Sequence, residues 1–282
     1  MTLNNKLTVY KHPCKGELLQ PEPLVLIHGW GSDSHTWDLI LPELMKNFNV
    51  LAIDLPGFGE SEYFQQEVGL CEPTTDEYLD AILAVMPSKC SIMGWSLGGL
   101  LATSLVGREP SRFTALITVA TNPCFVQRVD WHHGMSKKIF NSFLELFKQQ
   151  PALCLKRFHA LQCSGDIEER ALFKILQKSE AKNLAYFSDI NQEKNQHIGW
   201  IRGLRLLAET DNRVILGSLK IPGLHIFGEV DQLVTAGAAN EIKRLNSSQQ
   251  VKIIDNTAHL LHISSVKKLT SNVLSFFEKN RY

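Results

Sequence analysis

Apolar positions along the chain fall into two regimes. Leu24–Gly29 (LVLIHG), Val50–Leu55 (VLAIDL, stopped by Pro56-Gly57), Cys90–Trp95 (CSIMGW) and Ala115–Ala120 (ALITVA) are short unbroken apolar runs. Runs of that length bounded by turn residues predict strands buried on both faces. Between them lie helical spacings: Leu79, Ile82, Leu83 and Met86 share one face of Thr75–Met86, and Leu97–Val106 reads as a second helix. Strand alternating with helix predicts an α/β fold, a mostly parallel central sheet flanked by helices.

The rhythm breaks from about Asn122 to Thr210, where strand signal is sparse. Four stripes recur at helical spacing instead: Ile139, Phe140, Phe143, Leu144 and Phe147; Leu155, Phe158 and Leu161; Ala171, Ile175 and Leu176; and Ile201, Leu204 and Leu207. These predict amphipathic helices whose apolar faces pack inward. Strands return at Gly223–Gly228 (GLHIFG) and Val251–Ile254 (VKII), and Val266–Glu278 reads as a closing helix. The expected organisation is a core of residues 1–121 and 211–282 with a helical cap, 122–210, inserted over the site.

Composition removes several function classes. The 282 residues are 44% apolar and 21% charged with zero formal net charge. No global field draws the protein to nucleic acid or an anionic membrane. No apolar run approaches a membrane span, and the N-terminus lacks the basic start and apolar run of a secretory signal. Cysteines 14, 71, 90, 124, 154 and 163 form no C-x-x-C pair, and a chain this long needs no covalent staples, so reduced thiols are expected. A cytoplasmic monomer is the default.

The strongest chemical signal is Gly94-Trp95-Ser96-Leu97-Gly98, followed by Gly99. It fits G-x-S-x-G in the required setting, with a strand before and a helix after. The sharp turn exposes the serine hydroxyl, and glycines relieve the close approach of the flanking backbone. A serine needs a base, and the base needs an orienting acid; in this arrangement they follow the serine in the order acid, then histidine. His259, just past VKII, is favoured over His262, which the pattern places in the first turn of the closing helix as a surface or packing residue. Asp231 follows strand GLHIF at its C-terminal end and is favoured over Glu229 and Asp255. Oxyanion stabilisation requires two backbone N–H groups. Leu97, next to the nucleophile, offers one, and Trp30, in the loop His28-Gly29-Trp30-Gly31, is the candidate for the other. His28 lies too early to be the base and reads as structural. Asp54–Ser61 is glycine-rich, but no Gly-Lys-Ser/Thr follows, so it is a shaped turn with Asp54 on backbone and Ser61 not a nucleophile. His132-His133 lacks a third metal ligand, and no cofactor is expected.

The segments LVLIHGWG, DLPGFGES, GWSLGGLLA, FGEVDQLV and AHLLHIS occur in the order and spacing of the α/β-hydrolase family. More specifically, HGWG, GWSLGGL, VATNPCF leading into DW, and RFHALQ resemble the carboxylesterases that cleave pimeloyl-[acyl-carrier protein] methyl ester in biotin synthesis. The likeness covers most of the chain and is patchier from about Ser136 to Ala208. It implies Ser96 as nucleophile, Asp231 as acid, His259 as base, and Trp30 and Leu97 as oxyanion donors. It also implies Trp30 and Phe143 against the substrate, and cap basic residues facing an acidic acyl-carrier protein. Lys137, Lys138, Lys156, Arg157 and Arg170 are the candidates for that contact. Cys124 falls near the site by the same likeness and reads as a packed thiol. Competing functions are a general short-chain carboxylesterase or a C–C bond hydrolase on the same fold, and a small-molecule receptor using a hydrolase shell. A receptor has no need of a complete triad.

Overall fold

The computed structural model describes residues 6–64, 72–188 and 195–280. Seven strands form one sheet: β1 (Val9–His12), β2 (Leu24–Ile27), β3 (Val50–Ile53), β4 (Cys90–Trp95), β5 (Phe113–Val119), β6 (Gly223–Gly228) and β7 (Gln250–Ile254), in the spatial order β1-β3-β2-β4-β5-β6-β7. All neighbours are parallel except β1, which runs antiparallel to β3. The apolar runs identify the buried strands because both sheet faces are covered. Val25 and Ile27 enter one core with Ile92, whereas Leu24 and Leu26 enter the other with Met93 and Trp95. β1 has no such signature. It is an edge strand, VYKH, only partly buried, so no apolar run announces it.

The flanking helices are α1 (Leu41–Leu44), α2 (Thr75–Val85), α3 (Leu97–Arg108), α9 (Arg213–Ser218), α10 (Gly237–Leu245), α11 (Leu261–Ser264) and α12 (Val266–Lys279). Between β5 and α9 lie α4 (Lys137–Gln149), α5 (Pro151–Cys163), α6 (Glu169–Ser179), α7 (Ala181–Ser188) and α8 (Asn195–Glu209). The chain enters and leaves this helical block at one neck. Cys124 bridges Asp211, and the Asn212 N–H donates to the Pro123 carbonyl at 2.8 Å. Asn212 is anchored to α3, donating to the Leu100 carbonyl at 2.7 Å and accepting from the Ser104 hydroxyl at 3.0 Å.

The stripes of the block need correction in detail. Phe140 and Phe147 of α4 are buried, but Ile139 is 60% exposed. In α6 the buried face carries Leu172 and Leu176, while Ala171 and Ile175 face out. Leu161 of α5 is exposed as well. Helical spacing alone admits neighbouring faces about 100° apart, and packing partners decide between them. No helix among the described residues is long and apolar enough to cross a membrane. The five described cysteines are free, and burial pushes the thiols of Cys90, Cys154 and Cys163 up to about 12. Cys71 lies outside the described residues.

One buried acid joins block to core. Glu180, between α6 and α7, is 7% exposed. Its carboxylate accepts from Asn183 Nδ2 at 2.7 Å and from the Ser32 hydroxyl at 3.5 Å. Burial pushes its carboxyl up to about 7, with the charge of Asp33 adding to the effect and the two hydrogen bonds opposing it. The native state therefore holds this proton more tightly than the unfolded chain does. The associated stability is fully present below the ordinary glutamate range and is lost as pH rises through about 7. Glu180→Gln should accordingly raise Tm over wild type at pH 8, reflecting on the order of 3 kcal/mol at most, with the difference shrinking as pH falls and vanishing only below about pH 4. Thermal melts of both proteins across that range check this; a pH-independent difference would contradict it.

Candidate active site

The site is built where strand order reverses. β2 and β4 are neighbours, but the chain leaves β2 toward β3 on one side and leaves β4 toward β5 on the other. The loops after their C-terminal ends must part there, opening the crevice in which α/β sheets hold ligands. Ser96 stands between β4 and α3, and Trp30 stands in the loop after β2.

Ser96 has φ 54° and ψ −118°, a conformation that a residue with a side chain adopts only under constraint. Four hydrogen bonds hold it. Its N–H donates to the Val119 carbonyl at 2.9 Å, and its carbonyl accepts from the N–H groups of Gly99 and Leu100 at 3.1 Å each and from the Thr121 hydroxyl at 3.1 Å. The turn also needs space. A Cβ on Gly94 would overlap the Gly98 backbone, and one on Gly98 would overlap the Ile27 carbonyl oxygen of β2. The glycines on both sides of the serine are thus demanded by two backbones in contact.

Asp231 and His259 are brought together as a buried pair, at 3% and 1% exposure. His259 Nδ1 lies 2.7 Å from Asp231 Oδ2. The other oxygen, Oδ1, accepts from the N–H groups of Leu233 at 2.8 Å and Val234 at 3.0 Å. With every neighbour of the carboxylate a donor, Nδ1 carries the ring hydrogen and Nε2 is left as the basic nitrogen. Nε2 is buried and has no partner among the described residues, so its hydrogen bond to the Ser96 hydroxyl is not formed here. The two loops are nonetheless joined: Trp95, adjacent to Ser96, donates from Nε1 to the His259 carbonyl at 3.0 Å.

The alternatives are placed elsewhere. His262 packs in the interior, one of the two roles the pattern allowed, but it belongs to the separate short helix α11 rather than to the first turn of the closing helix. Its ring lies 4.4 Å from that of Trp95 and 5.1 Å from that of Trp37, and its Nε2 is 2.7 Å from the Thr36 hydroxyl. Burial, reinforced by His259, pushes it down to about 3. His28 is structural, its Nδ1 on the Gly29 carbonyl at 2.8 Å and its Nε2 accepting the Leu55 N–H at 3.0 Å. Asp54 accepts from the N–H groups of Ser34 and Glu60, and Ser61 donates to the Asp54 carbonyl. Asp255 is exposed, and Glu229 accepts from the Asn256 N–H at 2.9 Å.

The backbone N–H groups of Trp30 and Leu97 donate to no protein acceptor among the described residues. The Trp30 side chain is locked by the helical block. Its Nε1 donates to the Trp200 carbonyl at 2.8 Å, and its ring meets Phe143, Phe147, Phe158 and Trp200 edge-on at 5.1–5.5 Å. Phe58 stacks on Trp200 at 5.1 Å. Edge-to-face packing of this kind favours a rigid apolar wall. Trp30 and Phe143, both singled out from the sequence, meet in this wall; Trp200, a large aromatic in a polar stretch (QHIGWIRG), joins them without having been singled out. Lys137, Lys138, Lys156, Arg157 and Arg170 are all exposed on α4, α5 and α6. Cys124 is fully buried, its thiol on the Val126 carbonyl at 3.3 Å and pushed up by burial. Among the described residues no group of three or more His, Cys, Asp or Glu side chains could hold a metal ion.

The family model of the α/β hydrolase fold matches residues 22–266. The chain belongs to that family. It is 32% identical, over 87% of its length and 91% of the other's, to the pimeloyl-[acyl-carrier protein] methyl ester esterase of Aeromonas hydrophila. It is 36% identical, over 90% of its length, to the biotin biosynthesis bifunctional protein BioHC of Cellvibrio japonicus. The chain spans about half the length of the bifunctional relatives, 47% in that case. Among solved structures, an esterase from Exiguobacterium antarcticum superposes with a TM-score of 0.78 over 97% of this chain and 96% of its own, at 19% identity, which supports the fold alone.

The packing at the serine turn gives a direct test. Gly98→Ala should cost on the order of 3 kcal/mol by urea unfolding and depress ester hydrolysis, because β2 cannot withdraw without disturbing Trp30. Wild-type stability for this variant would contradict the packing described.

Proposed function

We propose that the chain is a serine carboxylesterase that hydrolyses the methyl ester of pimeloyl-acyl-carrier protein in biotin biosynthesis, releasing methanol, and that it acts as a cytoplasmic monomer. The observation that carries the reaction class is the buried Asp231–His259 pair. Its bonding leaves Nε2 as the one basic ring nitrogen, on a loop that Trp95 connects to the Ser96 turn.

In this mechanism Ser96 Oγ attacks the ester carbonyl carbon as His259 Nε2 takes its proton. The oxyanion rests on the N–H groups of Trp30 and Leu97, the latter at the first turn of α3, where the helix dipole favours negative charge. Collapse of the intermediate expels methanol, protonated by His259. A water, deprotonated by His259, then releases the acid from the acyl-enzyme. Asp231 fixes the imidazole tautomer and stabilises its charged form. Nucleophile, base and electrostatic stabilisers all come from the chain, so the chemistry calls for no cofactor.

The substrate assignment draws on the names of the relatives and on two features of this chain. An apolar wall of Trp30, Phe143 and their neighbours suits a linear methylene chain. Residues 122–210 act as the cap, and its outer surface mixes exposed Lys137, Lys138, Lys156, Arg157 and Arg170 with exposed Ile139, Leu153 and Leu161, a combination suited to an acidic carrier protein. The test is methanol release from pimeloyl-carrier-protein methyl ester beside hydrolysis of p-nitrophenyl butyrate. Wild type should favour the carrier-bound ester by kcat/KM. Lys156→Glu with Arg157→Glu should weaken its use about tenfold or more and spare the small ester. Turnover of the small ester alone points to a general carboxylesterase; equal losses on both substrates make the two basic residues structural.

A further inference from the structure

The loop carrying His259 joins β7, the last strand of the sheet, to α11, so no further strand lies beside it. The helical block supplies its support. Three hydrogen bonds run between this loop and the end of α5 with the turn that follows it. The Ala258 N–H donates to Asp166 Oδ2 at 2.8 Å, the His259 N–H donates to the Gln162 carbonyl at 3.3 Å, and the Ile167 N–H donates to the Asn256 carbonyl at 3.2 Å. Asn256 itself stands at φ 54°, where a side chain is disfavoured without such constraint.

Asp166 is the centre of the contact and is 5% exposed. Its second oxygen accepts from the Glu168 N–H at 2.9 Å, and its own N–H donates to the Cys163 carbonyl at 3.1 Å. Both carboxylate oxygens are therefore spent on backbone N–H groups, one of the turn and one of the histidine loop. A charged acceptor makes about twice as strong a bond as a neutral one. On its other side the loop is held by the Val230 N–H on the Thr257 carbonyl at 3.2 Å and by Trp95 Nε1 on the His259 carbonyl at 3.0 Å. His259 is thus gripped from the sheet and from the helical block together.

We propose that Asp166 is a positioning residue: by accepting the Ala258 N–H it fixes the backbone from which the His259 imidazole reaches Ser96. It touches no reacting atom. Removing it leaves the Ala258 N–H, buried at 0% exposure of its residue, without its acceptor, and the loop shifts to recover one. A displacement of about 1 Å at a catalytic group costs on the order of a hundredfold in rate. The inference rests on His259 being the base.

The test compares Asp166→Ala and Asp166→Asn with wild type on p-nitrophenyl butyrate, with active sites counted by fluorophosphonate titration so that only competent molecules enter kcat. Asp166→Ala should lose about tenfold to a hundredfold in kcat with KM within about twofold. Asp166→Asn, whose amide oxygen can still accept the Ala258 N–H while its NH2 turns toward the Glu168 N–H, should recover about threefold or more over the alanine variant without reaching wild type. The low-field proton resonance of the His259–Asp231 hydrogen bond should shift or broaden in the alanine variant and recover in the asparagine variant, which a role confined to global stability would not produce. If Asp166→Ala does not fold, Asp166→Glu decides: it keeps the charge, displaces the acceptor by one methylene, and should show the same loss at unchanged KM. Wild-type kcat in whichever variant is decisive, or failure of asparagine to rescue alanine, overturns the proposal. Ser96→Ala and His259→Ala serve as controls. If they retain activity, the triad reading itself fails and this inference falls with it; if they are inactive while Asp166→Ala is normal, only the positioning role is lost.

Discussion

β2 and α3 pass with no room for a side chain between them, and two residues before that contact Ser96 stands in a left-handed backbone conformation. The Ile27 carbonyl oxygen occupies the space that a Cβ on Gly98 would fill. Everything in the site refers to this contact. It sets where the serine turn stands relative to the loop after β2, and so where the Trp30 N–H sits relative to the Leu97 N–H. A non-glycine residue at positive φ costs on the order of 1–3 kcal/mol, and the sheet holds it through Val119 and Thr121. Next to the turn β4 and β5 pair in continuous parallel register from Ile92 to Trp95, with Trp95 opposite Val119, after a register shift between Cys90 and Ile92.

The histidine and its acid answer a different physical problem. They lie toward the far side of the sheet, after β6 and β7, where fewer strands confine the loops. Asp231 is fixed by the backbone N–H groups that follow it, and His259 is fixed by Trp95 on one side and by the end of α5 with the turn that follows it on the other. The helical block therefore has two duties. Through Phe143, Phe147, Phe158 and Trp200 it encloses the Trp30 ring, and through Gln162 and Asp166 it accepts hydrogen bonds from the loop of His259. The helical block and the loop of His259 are thus in direct contact, although they are separated along the chain.

The parts legible in the sequence are those where one local constraint dominates. Doubly buried strands read as apolar runs, so β2, β4 and β6 were plain, and the glycine-flanked serine was plain because close backbone contact restricts its neighbours to glycine. Helix faces in residues 122–210 were less so. Ile139 and Ile175 continue a 3.6-residue stripe yet face outward, because the width of a helix's buried stripe depends on how many neighbours it meets. β1 carried no apolar run because it is a half-exposed edge. The pattern around His262 leaves surface and packing both open because its burial comes from Trp37 and Trp95, residues far away in the chain. Asp166 could not have been picked out at all: a carboxylate that binds backbone N–H groups of a distant loop leaves no pattern in its own neighbourhood.

The central claim is that one activated serine does the chemistry, with His259 as its base. Treating the protein with a fluorophosphonate and mapping the adduct by peptide mass spectrometry tests it most directly. A single modified residue, Ser96, is expected, with labelling slowed by on the order of 10⁴-fold or more in His259→Ala. Modification at Ser61 or any other residue in place of Ser96, or unchanged labelling of Ser96 without His259, would contradict it.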